Sequence, residues 1–282
     1  MELTGKTAVI TGGASGIGLA TARQMAAKGA RLVLGDVEDE PLAAAVSELG
    51  AQGADVRGVH CDVASLRDVE ALRDRALSAF GAVHVVFNNA GVGGGPTIGA
   101  PIEAWRWVVS VNLDGVYHGI HAFLPLLLDQ DEGHVVNTAS LSGIGGVPGM
   151  GPYCATKFAV VGLSESLYYD LALRRSHVGI SVLCPGFVRT QIAESDRNMP
   201  EPLRATQSDR SRSTLEEAAA AAVAAGIEPD VVAGHVVDAV ERNEFWVLPH
   251  RRVALRTTEL RLEWMKGGPP PGIDLQKAAR GG

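Results

Sequence analysis

Short β-branched runs alternate with longer, helically patterned segments through the first half of this 282-residue chain, and that alternation narrows the fold more than any other feature. Residues 7–10, 31–35, 58–61 and 83–87 are brief apolar runs bounded by glycine, aspartate or asparagine, as strands require. Residues 16–28, 40–52 and 65–80 carry apolar side chains at helical spacing, with alanine, leucine and arginine favouring that state. Later strands are expected at 134–138, 179–184 and 245–248, and long helices at 105–125 and 153–174, with Pro125 near the end of the first. Strands alternating with helices predict right-handed crossovers. The expected α/β fold is a doubly wound parallel sheet of about seven strands, covered by helices on both faces. No internal repeat or mid-chain linker interrupts the pattern, so residues 1–282 read as a single domain.

Composition limits what such a domain can do. Hydrophobic residues make up 46% and charged residues 20%, the balance of a chain that can bury a core. The net charge of −7 argues against a nucleic-acid partner or an anionic membrane surface. Cys61, Cys154 and Cys184 are widely spaced, with no CxxC pair or Cys/His cluster, so neither a disulfide framework nor a metal site is expected. The opening Met-Glu-Leu-Thr-Gly-Lys lacks the pattern of a secretory signal, and no apolar stretch approaches the roughly 20 residues that cross a bilayer. A reducing, cytoplasmic setting is the expectation.

Directly after the first strand stands Thr11-Gly12-Gly13-Ala14-Ser15-Gly16-Ile17-Gly18, leading into a helix. Glycines allow a tight turn and close approach of the backbone to a pyrophosphate, and the amides at the helix start, with its positive dipole end, bind the phosphates. A plain glycine-rich turn is the alternative, but strand, glycines and helix in that order are what the binding mechanism needs. Asp36 follows the second strand at the offset of a carboxylate that accepts hydrogen bonds from an adenosine ribose. It would repel a 2′-phosphate, and neither Ser15 nor the run Asp36-Val37-Glu38-Asp39-Glu40 offers a cation, so NAD is favoured over NADP. A role in merely capping a helix or turn is the other reading of Asp36. Asp62 and Val63 follow the third strand, where Asp62 either caps the next helix or approaches the adenine. Asn88-Asn89-Ala90-Gly91 ends the fourth strand on the same rim.

Tyr153 and Lys157 are four apart on an expected helix, so they share a face. A tyrosine hydroxyl near pH 10 is a poor base at neutral pH, and an adjacent ammonium lowers it. A tuned tyrosine can remove the proton of an alcohol or return it to a carbonyl. Alone, the pair reads as a surface couple. Its company gives it weight. Ser140 ends the fifth strand and can donate a hydrogen bond to a substrate oxygen. Asn112 sits inside an expected helix, where an amide is neither a strong helix former nor a cap, and can hold a water linking Lys157 to solvent.

With these residues in order, the chain resembles the short-chain dehydrogenase/reductase family in its compact, Rossmann-like form, from about Leu3 to Pro249. In that family a Thr-Gly-x-x-x-Gly-x-Gly turn binds the dinucleotide, as 11–18 would here, and an Asn-Asn-Ala-Gly run lines the cofactor, matching Asn88, Asn89, Ala90 and Gly91. The family's Asn, Ser, Tyr and Lys tetrad falls on Asn112, Ser140, Tyr153 and Lys157. Its Pro-Gly-x-Val-x-Thr strand end, which contacts the nicotinamide, falls on Pro185, Gly186, Val188 and Thr190. The resemblance implies a homo-oligomer, tetramer or dimer, and a Lys157 that also holds the nicotinamide ribose. The implied activity is hydride exchange between NAD and a small-molecule secondary alcohol or ketone. An NADPH-dependent carbonyl reductase and a non-catalytic NAD-binding redox sensor are the alternatives.

Residues 190–225 interrupt the path between the last two strands and are expected as a lid over an apolar substrate. The tail from about 265, with Gly-Gly-Pro-Pro-Pro-Gly, is expected to be extended. His118 and His121 are three apart on a helix, but no third ligand accompanies them, so they read as packing rather than metal ligands. Cys154 reads as a packing residue, and Trp105 and Trp107 either pack or sit at a subunit contact. Ser142 and Met150 are candidates for the substrate pocket.

Overall fold

The structure, a computed structural model, describes residues 1–207 and 214–271. Seven parallel strands form one sheet: β1 (Thr7–Thr11), β2 (Arg31–Asp36), β3 (Val56–His60), β4 (Val85–Asn88), β5 (His134–Thr138), β6 (Gly179–Leu183) and β7 (Trp246–Val247). Their order is β3-β2-β1-β4-β5-β6-β7. Each strand of a parallel sheet has a helix-covered face on either side, and consecutive residues alternate between them. On one face Ala8, Ile10, Leu32 and Leu34 pack with Met25 of α1 (Gly16–Ala27), Leu42 of α2 (Asp39–Ala51) and Val236 of α9 (Pro229–Arg242). On the other, Val9, Val33 and Val86 meet Leu72 of α3 (Leu66–Phe80), Phe123 of α5 (Gly115–Gln130) and Val160 of α6 (Gly151–Leu173). Val9 lies in register with Val33 on one side and Val86 on the other, so a single layer of valines crosses the middle of the sheet.

The expected doubly wound α/β fold is present, with differences of detail. Strand β3 starts earlier than expected, at Val56, and the last strand shrinks to Trp246–Val247. The single helix expected over 105–125 is broken: α4 (Ile102–Val109) passes through a π-helical turn, Ser110–Asp114, into α5, and Pro125 lies inside α5 rather than at its end. Residues 190–207 hold a 3₁₀ segment, Ile192–Asn198, and α7 (Glu201–Gln207), while α8 (Thr214–Ala224) carries the alanine-rich stretch. The intervening 208–213, part of the expected lid, and 272–282 of the expected tail lie outside the described residues. Beyond β7 runs α10 (Arg251–Met265), a helix the sequence reading did not include.

The first three strands wind away from β1 in one direction and the last four in the other, so the connections diverge between β1 and β4. Such a switch point opens a crevice at the carboxyl ends of the strands. Among the described residues, no helix is long and apolar enough to cross a membrane.

Candidate active site

A cleft of about 2050 Å³ runs along that rim. This is well above the roughly 300–1,000 Å³ of a single small-ligand pocket and leaves room for a dinucleotide with a second molecule beside it. Most residues expected in the site line it, from Gly12, Ser15 to Ile17 and Asp36 to Ser140, Tyr153, Lys157 and Thr190, whereas Thr11, Gly13, Ala14, Gly18, Asn88 and Asn112 do not.

At one end the turn after β1 folds tightly against the β4 loop. Gly12 adopts φ +62, and a Cβ there would stand 2.9 Å from Ala90 Cα. A methyl on Gly18 would run into the Gly12 carbonyl, so the helix can start this close to the strand only without one. Asn89 braces the turn by donating from Nδ2 to the Thr11 and Gly12 carbonyls at 3.0 and 3.2 Å, while the Asn89 and Ala90 amides donate to Thr11 Oγ1. Ser15, Gly16 and Ile17 border the cleft at the start of α1, where a helix leaves its first amides without helical acceptors. A cradle of backbone with no room for side chains, opening on a helix start, fits a pyrophosphate.

Asp36 closes that end. Its Oδ2 accepts from Ala14 N at 3.0 Å and its Oδ1 from Glu38 N at 3.1 Å, so it ties the end of β2 to the glycine turn. Burial raises its carboxyl above the ordinary value, opposed by those amides. A half-satisfied, buried carboxylate with spare lone pairs suits the two hydroxyls of a ribose. Asp62 also reaches the cleft, but the capping role considered for it belongs to Ser65, whose Oγ accepts from Asp68 N. Asp62 Oδ1 instead accepts from Ala64 N at 2.9 Å.

At the other end α6 presents Tyr153 and Lys157 on one face, with Lys157 Nζ 5.5 Å from the Tyr153 ring centre. Lys157 is only 2% exposed, and its ammonium donates to the Thr138 carbonyl at 2.8 Å. Burial lowers it to about 8. Tyr153 reaches the cleft with part of its ring, yet protein encloses it closely enough that burial raises its hydroxyl to about 12, against a lowering hydrogen bond from Ser140. Desolvation is the largest influence and Ser140 the group that lowers the hydroxyl, in place of the lowering expected from Lys157. Ser140 Oγ accepts from Ser142 N at 3.1 Å, which fixes its rotamer toward the tyrosine.

The Asn112 side chain is turned onto the loop after β4. Its Oδ1 accepts from Val92 N at 2.8 Å and its Nδ2 donates to Val92 O at 2.9 Å, a two-point clasp on the loop after β4. The π turn points it there. A Cβ on Gly91 would meet both Asn112 Oδ1 (3.3 Å) and Lys157 Nζ (3.6 Å), which shows how closely these groups converge.

Other residues enter the site from α10, which carried no sequence signal, and from particular positions of the expected lid. His250, just before α10, accepts from Gly186 N through Nδ1 at 3.0 Å and packs on that glycine. Val253 and Thr257 of α10 line the apolar end beside Val147, Met150 and Leu215. Ser195 Oγ accepts from Gly93 N at 2.7 Å, and Arg197 pairs with Glu38, so the 3₁₀ segment touches both sides of the cleft. Contacts made across 64 or more residues leave no local pattern to read. His118 is accounted for by its contact at 2.8 Å with the Val63 carbonyl, to which Nδ1 donates. No group of metal-binding side chains occurs among the described residues.

Comparison with known proteins agrees with this geometry. The sequence profile described as short chain dehydrogenase matches residues 6–201. The chain is 40% identical over 210 residues to 1-deoxy-11-beta-hydroxypentalenate dehydrogenase of Streptomyces avermitilis, covering 73% of this chain and 76% of that one. It is 36% identical over 216 residues to 3-alpha-(or 20-beta)-hydroxysteroid dehydrogenase of Mycobacterium tuberculosis, covering 76% and 80%. Among solved structures, a short chain dehydrogenase/reductase from Burkholderia phymatum in complex with NAD superposes with a TM-score of 0.91 at 40% identity, covering 97% of this chain and 99% of that one.

Proposed function

We propose that this chain, which belongs to the short-chain dehydrogenase family, is an NAD-dependent oxidoreductase that interconverts a secondary alcohol and a ketone. The observation that carries the reading is the convergence of Ser140, Tyr153 and Lys157 at the opposite end of one cleft from the glycine turn and Asp36. When bound, the nicotinamide supplies the hydride acceptor or donor. The turn amides and Ser15 to Ile17 would hold its phosphates, Asp36 the adenosine ribose, Lys157 the second ribose, and Val188 and Thr190 the carboxamide.

The remaining chemistry belongs to side chains. Tyr153 Oη and Ser140 Oγ hold the substrate oxygen between them, and Ser140 donates as negative charge develops there. Tyr153 is the general acid/base: at about 12 its hydroxyl keeps its proton at neutral pH and is set to give it to a carbonyl. For the reverse direction Lys157, mostly cationic at neutral pH, stabilises the phenolate. Asn112 acts at one remove, by clasping the loop that walls the site. Residues 190–225 would serve as the lid. The apolar wall of Val147, Met150, Leu215 and Val253 supports a bulky apolar substrate, as do relatives named for a hydroxysteroid and a hydroxypentalenate.

The test is to follow NAD reduction with a panel of secondary alcohols, comparing wild type with Tyr153→Phe. Turnover on at least one alcohol, reduced by about 10²–10⁴ in the variant with NAD affinity retained, is the expected result. A variant that turns over like wild type would overturn the role given to Tyr153.

A further inference from the structure

The rim beside Asp36 carries a cation that the local sequence does not supply. Arg197 arrives from the 3₁₀ segment Ile192–Asn198 and meets Glu38, two residues past Asp36. Its Nε donates to Glu38 Oε1 at 2.9 Å and its Nη2 to Oε2 at 2.8 Å, a bidentate pair. Its Nη1 donates to the Gln191 and Glu194 carbonyls at 3.1 and 3.0 Å. Four of the five N–H groups of the guanidinium are thereby engaged. The pair is partly buried, with side chains 33% and 20% exposed, and both residues line the cleft. Arg197 also senses the Asp36 carboxylate electrostatically, which places it in the field of the ribose end. Among the described residues, the other cations lining the cleft are elsewhere engaged: Lys157 at the catalytic end and Arg204 with Glu201.

Resting on the NAD reading above, we infer that Glu38 is a specificity-determining residue: it sequesters Arg197, a latent 2′-phosphate ligand, and so keeps the pocket selective for NAD. Asp36 repels a 2′-phosphate directly. Glu38 adds a second barrier by occupying the group that would compensate that repulsion. A guanidinium is suited to phosphate through the same bidentate fork it now spends on the carboxylate. The Gln191 and Glu194 carbonyls would keep the freed side chain at the rim, so release from Glu38 leaves it positioned rather than lost to solvent.

Calorimetric titration of the full-length chain with NAD, NADP and adenosine 2′,5′-bisphosphate separates the contributions without turnover. Glu38→Gln is expected to raise the NADP-to-NAD affinity ratio at least about tenfold, equivalent to roughly 1.4 kcal/mol, and to confer binding of the bisphosphate. Adding Arg197→Met to Glu38→Gln is expected to remove most of that gain, and Arg197→Met alone to give none. Glu38→Ala repeats the test with a smaller side chain. A ratio unmoved in both Glu38 variants overturns the proposal, and so does a gain that persists undiminished in the double variant, because removal of one negative charge would then suffice. Wild-type preference for NADP overturns the NAD assignment and this proposal with it. Wild-type preference for NAD with an unmoved ratio overturns this proposal alone.

Discussion

Burial drives Tyr153 and Lys157 alike toward their neutral forms, because each must leave water to meet the other on one face of α6. The cost has a measurable signature. Lys157 is held near 8 in the folded protein against an ordinary 10.5, so between those values the unfolded chain binds the proton that the folded chain has released. Stability contributed by this group therefore rises with pH over that window. Tyr153, raised from 10.0 to about 12, acts in the opposite sense above about pH 10, where the folded chain holds the extra proton. Thermal melts of the cofactor-free protein between about pH 8 and 10 are expected to show wild type gaining on Lys157→Met as pH rises. Parallel curves would contradict the shift. That these two residues share a helix face was readable from their spacing in the chain. Their energetics were not, because spacing along a helix says nothing of how much water reaches the ring.

Elements were legible in proportion to how locally their causes act. The β–α alternation of the first half survives in the structure because each strand and helix is written in its own few residues. Helix α9 was not among the expected helices although its signal is local, with Val232, Val236 and Val240 buried at helical spacing. Helix α10 has no such signal: of its side chains only Ala254 is buried, so it presents no apolar period, yet it walls the cleft with Val253 and Thr257. The π turn was invisible for another reason. Its cause is the distant backbone of Val92, which Asn112 must reach, and wide turns of this kind collect where a side chain has to be aimed. Asn112→Ala would leave the Val92 N–H and carbonyl buried without those partners, each worth about 1–3 kcal/mol. Denaturant unfolding is expected to show a loss of roughly 2–4 kcal/mol, with turnover reduced because the loop beside Lys157 is no longer anchored. A loss below about 0.5 kcal/mol would mean that the clasp is not formed in solution.

At the scale of the molecule the two rims of the sheet divide the work. The carboxyl rim holds the cleft, and the opposite rim holds buried polar side chains that serve the fold. His134, at the start of β5, is 2% exposed. Its Nε2 lies 2.7 Å from Ser181 Oγ, which itself donates to the Glu244 carbonyl, so the imidazole donates from Nε2. Burial lowers it from 6.5 to about 3. Below its ordinary value the unfolded chain takes up a proton that the folded chain refuses, and stability falls as pH drops through that interval. Denaturant midpoints of His134→Gln are expected to fall less steeply than those of wild type between about pH 6.5 and 4, and equal slopes would refute this source of acid lability. Length, too, is unevenly constrained across the molecule. The π turn spends one residue more than an α-helical turn needs, and removing one residue within Ser110–Asp114 would let the helix close up, rotating what precedes it by about 100° relative to α5. Both helices and the sheet could survive that deletion while Asn112 or Val92 lost its partner. Single-residue gaps, usually tolerated at loop tips, are thus least tolerable here in mid-helix, and a chain of this kind can drift in sequence around Asn112 far more readily than in length.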